Sequence, residues 1–307
     1  MKSKIIKFTI FLLAIILLLV FAQPIWVRIE NKVPTSIESR LNHFFGRKTV
    51  LERLEKKPEV SVSISEGQNL KEIAELLAVK KLSSADEFFR FAGTPKVSYI
   101  KKDSITAPKN YSFKFDFLKD REDDSSLEGY LFPDTYRFFQ DATADEIITK
   151  MLENFDRKLT PKMRSDIAAQ GKTISQIVIM ASLIEKEAPI NYVSGDNHDA
   201  KIISGIFWNR LKKGQALQSC ATLAYVLGEN KPQYSEADTK VDSPFNTYLN
   251  RGLPPAPISN PGILAIEAAI YPIENDYNFF LTPSGTKNII FSKTYEEHLM
   301  NKNKYIN

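Results

Sequence analysis

With one cysteine, Cys220, the chain has no disulfide within itself. With three histidines, His43, His198 and His298, it offers no cluster of imidazole and thiolate donors at metal-ligand spacing. The sequence therefore implies neither a metal nor a cofactor, and any chemistry must come from carboxylates, hydroxyls and amides. A strong charge bias is missing as well. Basic residues number 41 against 37 acidic, a net +4 over 307 residues, which is too balanced for a nucleic-acid footprint and compatible with an anionic membrane or polymer. Hydrophobic residues make up 43% and charged residues 25%, an ordinary globular composition, so the chain has enough apolar material for a full core.

One apolar run is long enough to matter to a bilayer. Lys2, Lys4 and Lys7 precede an uncharged stretch from Phe8 to Ala22, and Gln23 to Val27 extend it to 20 residues before Arg28. The flanking lysines place that end in the cytoplasm. A cleaved signal peptide competes with this reading, but Val20-Phe21-Ala22 is a poor small-x-small site. The expectation is an uncleaved anchor over 1–28, a single pass through the cell (inner) membrane, with everything after it outside the cytoplasm. Residues 29–58, rich in Arg and Lys, read as a stem.

A small module over 59–105 follows. Val60 to Ile64 alternates as a strand, Glu66-Gly67 turns, Leu70, Ile73, Ala74 and Leu77 form a helical stripe, and Ser84 opens a second helix. This order resembles the carbohydrate-binding LysM module, with a plain packing subdomain as the alternative. Tyr111 to Phe117 alternates and predicts another strand, and the aromatic run Leu127 to Phe138, broken by Gly129 and Pro133, reads as core rather than as a sugar platform.

Residues 106–307 carry the chemistry. Asp145 to Leu159 is amphipathic and predicts a helix. Thr173-Ile174-Ser175-Gln176 fits a capping box, after which Ile174, Val178, Ala181 and Glu185 share one stripe of a nearly all-apolar helix. Glu185 thus continues a buried face. Loss of water there disfavours the charged carboxylate and raises its pKa, the condition for a general acid near neutral pH. The competing reading is a helix-end Glu turned to water or paired with Lys186. Glu187, two positions on, points away from Glu185 and reads as a supporting or salt-bridged group, with the role of acid as its alternative.

After Glu187 a polar loop carries Asp196, His198 and Asp199, and Lys201 to Lys212 predicts a second buried helix stopped by Gly214. His198 is placed to orient Glu185 or simply to be solvated. Cys220, without a His beside it in sequence, reads as a small buried residue. Gln218 and Ser219, together with Asn246, Thr247 and Tyr248, offer hydrogen bonds suited to sugar hydroxyl and N-acetyl groups, or else hold turns. Gly252 to Pro257 is a rigid proline-rich loop, Pro261-Gly262 opens a helix, and Asn278 to Leu281 with Asn288 to Phe291 reads as a strand pair ahead of a polar tail. The fold class read from this pattern is α+β, a small N-terminal module before a larger mixed catalytic domain.

Six motifs in order carry a family resemblance: Glu128-Gly129-Tyr130-Leu131-Phe132-Pro133-Asp134-Thr135-Tyr136, Ala181 to Ala188, Phe207-Trp208-Asn209-Arg210-Leu211, Leu217-Gln218-Ser219-Cys220-Ala221-Thr222, Phe245-Asn246-Thr247-Tyr248 and Gly252 to Ile258. Together they resemble the YceG-like (MltG) endolytic murein transglycosylases over about residues 60–295. The chain departs at Cys220-Ala221-Thr222, where many relatives carry Asp-Pro-Thr, and at Phe245, where Tyr is common. The resemblance implies a membrane enzyme that cuts nascent peptidoglycan strands internally between MurNAc and GlcNAc and leaves 1,6-anhydroMurNAc ends. It implies Glu185, the first carboxylate of the helix motif, as the single general acid and base. Gln218, Ser219, Asn246, Thr247, Tyr248 and Glu128 are then expected to bind substrate, with Glu187 and His198 behind them. Its expected partners are glycan strands, the cytoplasmic membrane and peptidoglycan synthases, with no nucleic acid. Two other readings stay open: a glycan-binding scaffold without turnover, and a hydrolase whose second carboxylate is Asp196, Asp199 or Glu236.

Overall fold

The computed structural model describes residues 58–95, 108–121, 125–231, 233–283, 286 and 288–305. The expected anchor and stem lie outside these residues. Among the described residues no single helix is long and apolar enough to cross a membrane.

Strand β1 (Glu59–Ser63) pairs antiparallel with β2 (Thr135–Phe139), in a register that sets Glu59 opposite Phe139 and Ser63 opposite Thr135. Alternation turns Val62, Tyr136 and Phe138 inward. Helix α1 (Leu70–Val79) starts at a full capping box of Asn69 and Glu72 and buries Leu70, Ile73, Ala74 and Leu77, the stripe read from the sequence. Helix α2 (Ala85–Ala92) is capped by Ser84 and packs on α1 and on α3 (Ala144–Lys158). The strand that completes the small module thus lies beyond residue 105. Residues 58–307 form one compact unit.

The strand expected at Tyr111 to Phe117 is instead a turn followed by a 3-10 helix at Asp116–Leu118. Phe115, Phe117 and Leu118 all point into the core, where Phe117 stacks on Phe155 with centroids 4.7 Å apart and Tyr130 lies 6.3 Å away. A strand would have turned alternate residues apart, and the shared aromatic cluster favours the tighter coil. The run from Leu127 to Phe138 is core, as expected: Leu127, Tyr130, Leu131, Phe132, Tyr136 and Phe138 are all buried.

Helix α4 (Pro161–Ala169) is capped by Thr160 with Pro161 as its first residue. Helix α5 (Ile174–Glu187) has the predicted Thr173–Gln176 box, with reciprocal bonds of 3.1 and 3.0 Å. Its residues from Ile177 to Ile184 are buried without a break, because α4, α6 (His198–Lys212), α7 (Cys220–Leu227) and α8 (Ile263–Ile270) surround it. Each large aliphatic side chain so buried contributes roughly 1.5–3 kcal/mol, which makes α5 the fixed axis from which the site is presented. The predicted hairpin is β3 (Phe279–Leu281) against β4 (Ile290–Ser292), and the tail is helical, α9 (Tyr295–Tyr305).

Candidate active site

The last turn of α5 carries Glu185, Lys186 and Glu187, and at about 100° per residue the two carboxylates leave on different sides. Glu185 meets the turn that follows β1. Its Oε2 accepts from the Tyr192 hydroxyl at 2.5 Å and from the Gly262 amide at 3.0 Å, while Lys186 Nζ donates to the Gly67 carbonyl at 3.3 Å. Burial pushes the Glu185 carboxyl above its ordinary value, these two hydrogen bonds oppose the shift, and the nearby Glu66 charge adds to it. Gly262 packs closely here: a Cβ would press on the hydroxyl end of Tyr192 and on Glu66 Cγ, so one of those side chains would have to move.

Glu187 faces the start of α7. Its Oε1 accepts from the Ser219 hydroxyl at 2.5 Å and from the Ala221 amide at 3.2 Å. An oxygen that accepts two bonds is the carbonyl-like one, so a proton on this carboxyl resides on Oε2. Burial raises its pKa, against the pull of Ser219, Ala221 and the Arg210 charge.

A cleft of about 1560 Å³ opens beside this carboxylate, bordered by Lys186, Glu187, Arg210, Gln218, Cys220 and Tyr248. Glu185 is not on its wall. Gln218 is exposed and held at φ +50°, a left-handed backbone uncommon for a residue with a side chain and found disproportionately at functional sites. Tyr248 sets its hydroxyl 3.2 Å from Cys220 Sγ. Cys220, read as buried, is an exposed residue at the first position of α7, because the helix starts there and turns it toward the cleft.

Four residues expected at the substrate are instead enclosed. Relative exposures are 2% for Ser219, 1% for Thr247 and 0% for Asn246 and Glu128, the last of which nonetheless borders the cleft. They position other groups. The Ser219 amide donates to Thr247 Oγ1 at 3.0 Å, Thr247 and Thr222 hydroxyls lie 2.9 Å apart, and the Gln218 amide donates to the Thr247 carbonyl at 3.1 Å. Asn246 Nδ2 holds the Thr239 and Val241 carbonyls at 3.0 and 2.8 Å. Glu128 accepts the first amide of α1, from Leu70, at 3.0 and 3.2 Å. His198 is exposed at the start of α6, its amide donating to Asp196 Oδ1 at 3.1 Å, and it makes no hydrogen bond to Glu185.

The sequence reading missed Tyr192, Gly262 and Asn260, all on loops with no periodic signal. It quoted Arg210 within a motif but gave it no role. Arg210 donates to the Leu217 carbonyl at 2.5 Å and to the Asn278 carbonyl at 2.6 Å, tying α6 to the Gln218 segment and to the hairpin. Among the described residues no group of three or more His, Cys, Asp or Glu is placed to hold a metal ion.

The fold and site define a mixed α+β protein with a carboxyl, its pKa raised by burial, on the wall of a large cleft. The chain belongs to the YceG-like family, whose model matches residues 38–304. It is 33% identical over 246 residues to a protein of Bacillus subtilis named endolytic murein transglycosylase, covering 80% of this chain and 65% of that one. A Streptococcus pneumoniae protein of the same name is 34% identical over 186 residues, or 59% of this chain and 32% of the other. The chain therefore spans just under two thirds of the first relative and about a third of the second. A crystal structure of a putative YceG-like protein from Listeria monocytogenes superposes with a TM-score of 0.64 at 39% identity, covering 79% of this chain and 76% of that one. The family read from the six motifs is thus borne out.

Proposed function

We propose that this protein is an endolytic peptidoglycan lytic transglycosylase that cleaves between MurNAc and GlcNAc within nascent strands and leaves 1,6-anhydroMurNAc ends. The similarity to two proteins named for that activity supports the reaction class. The observation that carries the mechanism is that Glu187, not Glu185, borders the cleft, with both of its hydrogen bonds accepted by the one oxygen Oε1.

In this reading Glu187 Oε2 gives its proton to the glycosidic oxygen as the bond between that oxygen and MurNAc C1 breaks, and the GlcNAc leaves with the proton as its 4-hydroxyl. The same carboxylate then takes the proton of the MurNAc 6-hydroxyl as that oxygen closes on C1, so the sugar ring is completed and no water is consumed. Desolvation serves both steps, because it keeps the acid protonated and excludes the water that would hydrolyse the intermediate. A two-carboxylate hydrolase is disfavoured. Asp196, Asp199 and Glu236 do not line the cleft, and of the carboxylates that do besides Glu187, Glu75 pairs with Lys71, Glu229 pairs with Lys231, Glu72 closes the α1 cap, and Glu128 is fully enclosed and accepts from the Leu70 amide and Asn260 Nδ2. Gln218 and Tyr248 border the cleft and carry polar groups suited to sugar hydroxyl and N-acetyl groups.

Glu185 remains the second reading, favoured by its raised pKa and its place as first carboxylate of the motif. The lysines and apolar run at the N-terminus support a single-pass anchor, with the cleft at the outer face of the cell membrane where peptidoglycan synthases work, and the module at β1–α1–α2 supports glycan binding by its likeness to LysM. To test the assignment, the full chain in detergent is incubated with purified glycan strands and the products are read by mass spectrometry. Glu187→Gln is expected to abolish internal fragments with 1,6-anhydroMurNAc ends, lowering the rate at least about 100-fold, while Glu185→Gln retains them. The reverse pattern assigns the acid to Glu185. Reducing ends from the unmodified chain mean a hydrolase, and binding without cleavage means a scaffold.

A further inference from the structure

Next to Arg210 the cleft wall is aromatic. The Arg210 guanidinium lies 5.8 Å from the centre of the Phe279 ring. Phe279 stacks on His298, with centroids 5.2 Å apart and planes 24° from parallel, and meets Tyr295 at 5.8 Å. Phe279, Tyr295 and His298 border the same cleft as Glu187. None of the α9 residues is buried and Tyr295 is 56% exposed, so these rings are not filling a core. His298 Nδ1 is closed to solvent and has no hydrogen-bond partner, and burial together with the charges of Lys302 and Arg210 lowers the pKa of the ring, which is neutral at pH 7. The neutral ring carries one N–H and one lone pair.

A sugar ring needs this combination: aromatic faces for its C–H surface and neutral polar atoms for its hydroxyl and acetamido groups. An acidic peptide stem is the competing occupant: both terminal nitrogens of Arg210 are committed to backbone carbonyls, but Lys302 also borders the cleft, so strands with and without stems separate the two. We propose that Phe279, Tyr295 and His298 form a sugar-binding subsite, built by the β3–β4 hairpin and α9, that holds a saccharide unit of the glycan on the far side of Arg210 from Glu187. The proposal rests on the glycan-cleaving reading of the cleft, and it adds to that reading a determinant of where along a strand the cut falls.

The test measures binding of fluorescently labelled glycan strands, with and without peptide stems, to the full chain carrying Glu187→Gln. Adding Tyr295→Ala or His298→Ala is expected to weaken binding about three- to tenfold on both kinds of strand. Met300→Ala, on the same helix but off the cleft, leaves it unchanged. In the otherwise unmodified chain the same two changes raise KM with kcat held within about twofold, and fragment lengths shift. Unaltered binding by both variants, or weakening confined to stem-bearing strands, overturns the subsite. An unmodified chain that binds strands without cutting them overturns the transglycosylase reading instead, while the binding series still reports on the subsite.

Discussion

Glu185 and Glu187 are held alike, each with one oxygen fixed by a hydroxyl and a backbone amide and each with its ionisation opposed by burial. A carboxyl whose folded-state pKa is raised contributes its full stability below the unfolded value of about 4.3. That contribution is lost as pH rises through the folded pKa, because the chain must then bury a charge. Replacing either residue by Gln keeps an acceptor oxygen and removes the charge. Both Gln variants are therefore expected to melt above the unmodified chain at pH 7.5, with the gap closing as pH falls toward 4. Thermal unfolding followed by circular dichroism across that range checks this, and a lower Tm at every pH would mean that lost hydrogen bonds outweigh desolvation. The raised carboxyl was legible at Glu185 from the apolar stripe of its helix. Its partners were not, since Tyr192 and Gly262 come from loops whose approach depends on the packing of α5 against α8. For the same reason Glu187 read as secondary: only the folded chain brings Ser219 and the start of α7 to it.

Among elements, those with strong periodicity or a cap were legible: α1, α3, α5, α6 and the hairpin all lie where stripes and capping residues put them. Helix α7 was not, being eight residues of mostly apolar sequence with no side-chain cap bond, and α9 was not, because it buries no residue and so shows no stripe. The loops that join these elements depend on Asn260, which is fully buried. Its Oδ1 accepts the Gly129 and Leu131 amides, each at 3.0 Å, and its Nδ2 donates to the Gln68 carbonyl at 2.9 Å and to Glu128 at 3.2 Å. One side chain thereby joins the turn before α1, the aromatic core segment and the proline-rich loop that leads to Gly262. Asn260→Ala leaves two buried amides without acceptors and is expected to cost about 3–5 kcal/mol, measured as a fall in the urea midpoint at unchanged slope.

Across the whole molecule, the boundary read at residue 105 cuts between β1 and the strand that completes it. That boundary follows composition, which falls off after the second helix, whereas the pairing of β1 with β2 leaves no local mark because register is set by partners far apart in sequence. A peptide of residues 58–105 is expected to be unfolded by circular dichroism, while the full chain loses the helices and strands of 58–307 in one urea transition. A folded peptide would mean that α1 and α2 carry the module without β2. Ser63 and Thr135, hydroxyls 2.9 Å apart across the ladder, are separated by 72 residues. During synthesis the first strand of the described fold therefore waits as a bare edge until the ribosome has delivered its partner, an interval of roughly 4–14 s at 5–20 residues per second. Throughout that interval the nascent chain offers any other extended segment an unpaired edge.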